Sequence, residues 1–408
     1  MPEAQPNPTP RIETDVAILG GGIAALWTAH VLRDAGFGVA VFTNADWGAG
    51  QTLAAQGVIH GGLKYALGGK LTDSSEALAA MPGRWRQSLA GKGEIDLRGV
   101  TVLSPSQILW SLPQVLSKVV AFFGSQSLRN RAGALAREDY PPPFQHPDYR
   151  GQLFELDEMV VDPVTLVAAL AGPLQDCARK WNGTASWNTD PAGRITEAVF
   201  PDASGRPVTL RARHWVLAAG AGNGDLLRSM GRQGPAMQLR PLHQVIIRSR
   251  RLPPLFSVCI GTGIKPPVVT TTHIASDGTP LWYVGGDLAE TGVERSESAQ
   301  IDFARARFRE LLPWLDLADA GWATLRVDRA EPRTGSGERP PGAFVDHREN
   351  VFTVWPTKLA LAPDLASQVH HLLRNAEPHP SGRVTGLEAF NLPVPAPAKA
   401  PWDFPSAS

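Results

Sequence analysis

The chain has 408 residues, 43% of them hydrophobic, enough for two or three compact units with real cores. Lys plus Arg and Asp plus Glu each count 39, so no net field gathers a polyanion, which argues against nucleic acid as the main partner. Cys177 and Cys259 stand far apart in no metal-ligand spacing, so neither a disulfide framework nor a metal site is expected.

Residues 1–11 and the Pro- and Ala-rich stretch 391–408 have the composition of extended or disordered tails. The N-terminus lacks a basic segment followed by an apolar one, so no secretory leader is expected. The longest apolar run, 16–32, contains three glycines and His30, and reads as a strand plus a helix instead of a membrane span. A cytoplasmic protein without a transmembrane segment is the expectation. That same run carries the strongest signal in the chain. Residues 16–19 supply an apolar strand, Gly20 permits a tight turn, and Gly22 lets backbone approach a phosphate. A helix from Ile23 then aims its N-terminus at the charge. Gly20, Gly22 and Ala25 thus read as a grip on a dinucleotide pyrophosphate, with alanine in place of the third glycine. The second strand, 38–42, ends in Thr43-Asn44 where a ribose-binding acid is usual. A neutral group there predicts weaker retention of the dinucleotide.

The stretch from Gly48-Ala-Gly50-Gln51-Thr52 to His60-Gly61-Gly62-Leu-Lys64-Tyr65 is dense in glycine and small residues, which suits backbone lying against a ligand. It is predicted as a loop entering a short helix. Residues 72–89, interrupted by Pro82, and 108–123 are predicted helices of a lid or cap. Asp162-Pro163 opens a further helix within 155–174. Strands at 184–187, 195–200 and 208–217 form a predicted antiparallel meander with turns at 190–193 and 202–205. The last of them runs into Gly220-Ala-Gly222-Asn223, ahead of a helix starting near Asp225. Further strands are predicted at 238–248, 268–273 and 281–285, with a hairpin turn at 276–279, and an amphipathic helix at 298–312. These read as a separate, substrate-side sheet. Finally, 350–355 is a strand, 356–358 a turn and 359–373 a helix. Three strand-turn-helix junctions so distant in sequence imply one sheet assembled from separate pieces, with ligand at the carboxyl ends of its strands.

These motifs, in this order and over nearly the whole chain, resemble the FAD-dependent oxidoreductases of the D-amino-acid oxidase-like superfamily. The segment from Gly48 to Tyr65 is similar to one that glycerol-3-phosphate and L-2-hydroxyglutarate dehydrogenases place beside the flavin. Thr353-Val-Trp-Pro-Thr357-Lys358-Leu359 is similar to the glycine-glycine-lysine turn of the former, with Trp355, Pro356 and Thr357 around the lysine instead of glycines. The resemblance implies FAD as cofactor and an α/β (α+β overall) fold. A Rossmann-like FAD-binding domain would be assembled from 12–70, 150–236 and 335–390. A helical cap region would occupy 71–149, and a substrate domain with a mainly antiparallel sheet 237–334. Gln51, Thr52, Gly61, Gly62, Gly220, Gly222, Asn223, Thr357, Lys358 and Leu359 would join Gly20, Gly22, Ala25, Thr43 and Asn44 around the cofactor. The implied reaction takes a hydride from a C–OH, or a C–N, bond of a small acidic metabolite to the flavin, with an unidentified electron acceptor. An amino-acid or amine oxidase and a flavin-binding protein with little turnover are the alternatives.

Among the polar residues, His60 stands out because an imidazole titrates near neutral pH. It is expected either to take a proton from the substrate hydroxyl or to orient the isoalloxazine ring. Lys64 and Lys358 supply positive charge suited to a reduced flavin, and Lys64 also stands as a substrate contact. An anionic substrate group is expected at Arg240 with His243 and at Arg329 and Arg333, since a guanidinium binds carboxylate or phosphate through two parallel hydrogen bonds. Salt bridges with Asp328 or Glu331 are the alternative use of those arginines. His273 lies in a predicted strand, facing either the substrate or solvent.

Overall fold

A computed structural model describes residues 10–62, 78–123, 132–263, 265–335 and 340–403. They fall into two compact units, Met1–Ala49 with Val167–Gln238 and Ala330–Ala398, and Gly50–Leu166 with Leu239–Arg329 and Lys399–Ser408.

The first unit is built on an eight-stranded sheet. Its parallel part runs in the order Val351–Trp355, Pro207–Leu217, Ile12–Leu19, Val39–Thr43, Ala178–Lys180. Every residue of Val39–Thr43 and all but Glu13 of Ile12–Leu19 is buried, as strands covered on both faces must be. Phe344–Arg348 closes one edge antiparallel, and Ser186–Thr189 and Ile195–Pro201 form a meander with Pro207–Leu217. In the core Trp181 stacks on Phe200 with centroids 4.1 Å apart, while Phe42 meets both rings edge-on. The pairing register sets Leu19 beside Phe42 and Leu217, and Leu217 beside Thr353. Four strands from distant parts of the sequence therefore end along one line.

The second unit holds another eight-stranded sheet, in the order Gly321–Pro332, Met237–Arg248, Pro280–Gly285, Val269–Ile274, Ser257–Ile260, Gln107–Ser111, Phe154–Leu156, Ala132–Ala134. It is mainly antiparallel, with one parallel pair between Ser257–Ile260 and Gln107–Ser111. Phe308 of helix Glu297–Leu311 packs with Trp282, Val284, Val245 and Trp110 on one face. Leu281, Tyr283 and Ile246, the alternate residues of the same strands, gather around Trp402 on the other.

Several expectations are corrected here. Residues 108–123 are not one helix: Gln107–Ser111 is a strand held between two neighbours, and only Leu116–Phe123 is α-helical. Sheet pairing supplies what the short apolar run cannot specify alone, and Pro113 starts a 3-10 turn that separates the two. The stretch expected as a helical cap therefore contributes strands to the second sheet. The interruption expected at Pro82 falls just before it: residues 78–79 are helical, 80 is a turn, and Pro82 sits in the first turn of Met81–Leu89, where its missing N–H costs nothing. Residues 72–77 lie outside the described residues. Residues 50–62 form turns and belong to the second unit, as do 150–166, while the residues after 62, where the short helix was expected, lie outside the described residues. From 391 to 403 the tail is extended but packed. Trp47 N–H donates to the Ala396 carbonyl at 2.8 Å and Ala398 N–H to that of Trp47 at 3.0 Å, while Trp402 is buried. Among the described residues no helix is long and apolar enough to cross a membrane.

Candidate active site

At the carboxyl edge of the first sheet the chain turns at Gly20, whose φ of 142° only glycine adopts without strain. A Cβ there would sit 2.3 Å from the Ala218 carbonyl oxygen, and one on Gly21 2.5 Å from Thr43 Oγ1. The neighbouring strand ends thus demand both glycines. Gly22 is the N-cap of Ile23–Asp34, with no capping side chain and no acidic residue in the first turn. The positive end of that helix dipole lies at the strand ends with no carboxylate of its own turn to neutralise it, and Ala25 is buried within it. Backbone donors beside glycines that cannot bear a side chain fit a pyrophosphate.

The other strand ends are tied together by side chains. Asn223 is fully buried, accepts Ala219 N–H at 2.8 Å and donates to the Val354 carbonyl at 3.1 Å. Its amide joins two of the junctions expected to face the cofactor. Trp355 Nε1 likewise donates to the Gly220 carbonyl at 3.1 Å. Gly220 has φ 59° with open space where a Cβ would stand, and Gly222 caps the short helix Asn223–Ser229. At the last junction Thr357 has φ 57°, a rare conformation for a β-branched residue, and donates to the Gly342 carbonyl at 2.9 Å. Lys358 follows, only 9% exposed, and Leu359 begins the 3-10 turn Leu359–Leu361 that leads into Ala362–Ala376. Thr43 is buried, its hydroxyl engaged with the backbone of Ala45 at 3.2 and 3.3 Å, whereas Asn44 is exposed. The nearest acid beyond the strand is Asp46. Lys180 binds it at 2.5 Å and, with the Ala396 N–H, holds its carboxyl below the usual range against a small burial cost.

In the second unit, residues 57–61 run antiparallel to 157–161, and this pairing brings His60 to Glu158. His60 Nδ1 lies 3.1 Å from Glu158 Oε2, and Gly61 N–H donates to Oε1 at 2.9 Å. Gly62 has φ 86°, Thr52 is buried and Gln51 is exposed. Gln56 donates to the carbonyls of Val269 and Tyr283, fastening this loop to the sheet. Lys64 lies outside the described residues.

Two of the expected arginines meet on adjacent strands. Arg329 Nε donates to the Arg240 carbonyl at 3.2 Å, and both guanidinium groups approach Glu290 Oε1, at 3.2 and 3.8 Å, while Lys265 binds Oε2. Burial opposes ionisation of Glu290, but Lys265 and Arg329 outweigh it and hold its carboxyl below the usual range. Three cations thus converge on the one carboxylate of Glu290 in a half-buried cluster. Salt bridges of these arginines were expected with Asp328 or Glu331; the one observed at 3.2 Å joins Arg329 to Glu290.

Three expected substrate contacts are placed elsewhere. His243 is buried with Nδ1 2.9 Å from the Gly292 carbonyl, under the loop that precedes Glu297–Leu311. His273 faces neither substrate nor solvent: it is 1% exposed, lies against Trp402 with ring centroids 4.4 Å apart and the planes tilted by 35°, and burial pushes its pKa down to about 3. It is a neutral core residue. Arg333 is exposed in the first unit, where its backbone N–H donates to the Ala236 carbonyl.

The family described as FAD dependent oxidoreductase (DAO) matches residues 15–354. The chain belongs to that family. A curated relative, the probable FAD-dependent oxidoreductase PA4991 of Pseudomonas aeruginosa, is 43% identical over 393 residues, covering 96% of this chain and 98% of its own. Its crystal structure superposes with a TM-score of 0.82 over 97% of this chain and 99% of that one, at 39% identity. Glycine oxidase from Geobacillus kaustophilus (17% identity) and L-alpha-glycerophosphate oxidase from Mycoplasma pneumoniae (14%) each superpose with a TM-score of 0.64 over 89% of this chain and 95% of theirs. An amino-acid enzyme and a phosphate-ester enzyme fit equally well, so the fold does not choose the substrate class. The chain is an FAD-dependent oxidoreductase of the DAO family, and FAD is its cofactor.

Within this flavoprotein, sequence reasoning missed Glu158, Lys265 and Glu290. Glu158 lies 98 positions from His60 and reads as one more acid after a strand. No local pattern pairs them. Asp46 was legible as a displaced acid, but its capture by Lys180 is a consequence of sheet order alone.

Proposed function

We propose that this flavoprotein oxidises a C–OH bond of a small anionic metabolite, holding the anion at Arg240 and Arg329 and accepting the hydroxyl proton at His60. The convergence of Arg240, Arg329 and Lys265 at Glu290 carries the reading, because two guanidinium groups and an ammonium gathered at one place supply the donors that suit a carboxylate or phosphate ester. Gly20, Gly22 and Ala25 hold the FAD pyrophosphate, Asn44 is the group offered to the adenosine ribose, and Gly220, Gly222, Thr357, Lys358 and Leu359 line the remaining strand ends. Gln51, Thr52, Gly61 and Gly62 keep their assignment to the flavin. Bound FAD supplies the two-electron acceptor. His60 suits the proton step as a partly exposed imidazole in a glycine-flanked loop. A hydroxyl substrate of the kind named for glycerol-3-phosphate dehydrogenases is favoured over an amine by the likeness of the His60-Gly61-Gly62 segment.

The test is anaerobic bleaching of the purified holoenzyme by glycerol phosphates, 2-hydroxy acids, amino acids and neutral polyols. Bleaching by an anionic alcohol is expected. In Arg329→Gln the loss of one charged hydrogen bond, about 1.5–3 kcal/mol, should raise KM about 10- to 150-fold with a smaller effect on the limiting rate. Equal bleaching by neutral polyols, or an unchanged KM, refutes the anion site. Bleaching by amino acids alone refutes the hydroxyl reading.

A further inference from the structure

The ladder that presents His60 is fixed by backbone. Val58 bridges Val160, Ile59 N–H donates to the Met159 carbonyl at 2.8 Å, and Val161 N–H donates to the Gly57 carbonyl at 2.9 Å. A Cβ on Gly57 would fall 2.0 Å from the Val161 carbonyl oxygen, so the register tolerates no side chain there. From this ladder Glu158, 1% exposed, places one oxygen on His60 Nδ1 and the other on Gly61 N–H. An ionised carboxylate only accepts hydrogen bonds, so the contact selects the imidazole tautomer that carries its proton on Nδ1. The basic lone pair of the ring is then on Nε2.

We propose that Glu158 is the positioning residue of the reaction: its buried carboxylate fixes the His60 tautomer, anchors the His60–Gly61 backbone, and stabilises the imidazolium formed when Nε2 takes the substrate proton. The proposal rests on the reading of His60 as proton acceptor. In that step the substrate O–H bond breaks toward Nε2 while the C–H electron pair leaves with its hydrogen to the flavin, and the carbon becomes a carbonyl. Glu158 stays ionised throughout and lowers the energy of the charged ring. Among the described residues, the other ionisable groups on these elements are Asp157, bound by Arg86, and Arg84, bound by Glu94 at 2.6 Å. Both arginines are on Met81–Leu89, whose Pro82 lies against Gly61. Each of those charges has a counter-ion of its own, and the carboxylate in contact with the ring is Glu158.

Long-range nitrogen–proton NMR spectra of the 15N-histidine-labelled holoenzyme test this, with His60 assigned by its loss in His60→Asn. Wild type should show His60 protonated on Nδ1 when neutral. Glu158→Gln should lower the His60 pKa by about one unit and abolish the tautomer preference, with FAD content unchanged. Glu158→Asp, which keeps the charge, should restore most of the shift. A wild-type ring protonated on Nε2, or a His60 pKa equal in wild type and Glu158→Gln, overturns the proposal. If Glu158→Gln does not fold, the wild-type tautomer and Glu158→Asp still decide it. Failure of the His60 reading is seen separately, as bleaching by an anionic alcohol at the wild-type rate in His60→Asn.

Discussion

Gly21 offers a direct test of how the phosphate-gripping turn is held. Its φ lies outside the left-handed region, so alanine meets no backbone penalty there, and the whole effect comes from contact. The added methyl would stand 2.5 Å from Thr43 Oγ1, 3.1 Å from its Cβ and 3.5 Å from its Cγ2. Ordinary contacts are about 3.5–4.0 Å, so something must move by roughly 1 Å. Thr43 cannot simply swing away, because it is buried and both hydrogen bonds of its hydroxyl go to the Ala45 backbone. Overpacking of this kind costs about 1–3 kcal/mol. Thr43→Ala removes Oγ1 and Cγ2 and leaves only the 3.1 Å approach, which a shift of a few tenths of an ångström relieves. Gly21→Ala should therefore lower the unfolding midpoint and the FAD content, Thr43→Ala alone should cost about 1 kcal/mol for its lost hydrogen bonds, and the double variant should recover most of the loss. Urea unfolding of the four proteins measures the coupling, expected at about 1–2 kcal/mol. Strict additivity, or a Gly21→Ala protein as stable as wild type, would show that the turn does not depend on this contact.

At the same edge, Asn44→Asp should tighten FAD binding about fivefold by offering the ribose a charged acceptor, an effect of about 1 kcal/mol; fluorescence titration of the apoprotein with FAD reads it, and unchanged affinity removes Asn44 from the site. Thr357→Asn should raise the unfolding midpoint, since asparagine tolerates φ 57° and relieves strain of about 1 kcal/mol; a fall would show that Thr357 is not strained. Burial pushes His273 down to about 3 and His214 to about 4, while both titrate near 6.5 once unfolded. Between pH 6.5 and about 4 the unfolded chain binds two protons that the folded chain does not, so stability falls with pH by about 1.4 kcal/mol per unit for each histidine. His273→Gln should remove one share of that slope, and an unchanged slope would contradict its neutral burial.

Local signals located much of this protein. Strand-like segments at 184–187, 195–200 and 208–217, with glycine turns between them, predicted an antiparallel meander, and the folded sheet pairs these segments antiparallel. The run from residue 16 through Gly22 specified strand, turn and helix, because buried parallel strands need continuous apolar side chains and a phosphate needs bare backbone. Residues 108–110 were illegible: a three-residue apolar run fits helix and strand alike until Ser257–Ile260 and Phe154–Leu156 pair with Gln107–Ser111. His273 was equally ambiguous, since only the docking of Trp402, more than a hundred residues later, turns a strand histidine into core.

By itself, the sequence determined the class of cofactor grip, the strand-turn-helix junctions that share one sheet, and the residues with the chemistry to act. Tertiary structure alone decided which of those residues have partners. Glu158 meets His60, Glu290 gathers Arg240, Arg329 and Lys265, and Asp46 is taken by Lys180. The reason is physical: a turn or a strand is specified by neighbours along the chain, whereas the charge, tautomer and burial of a side chain are set by groups that only the closed sheet brings within hydrogen-bonding distance.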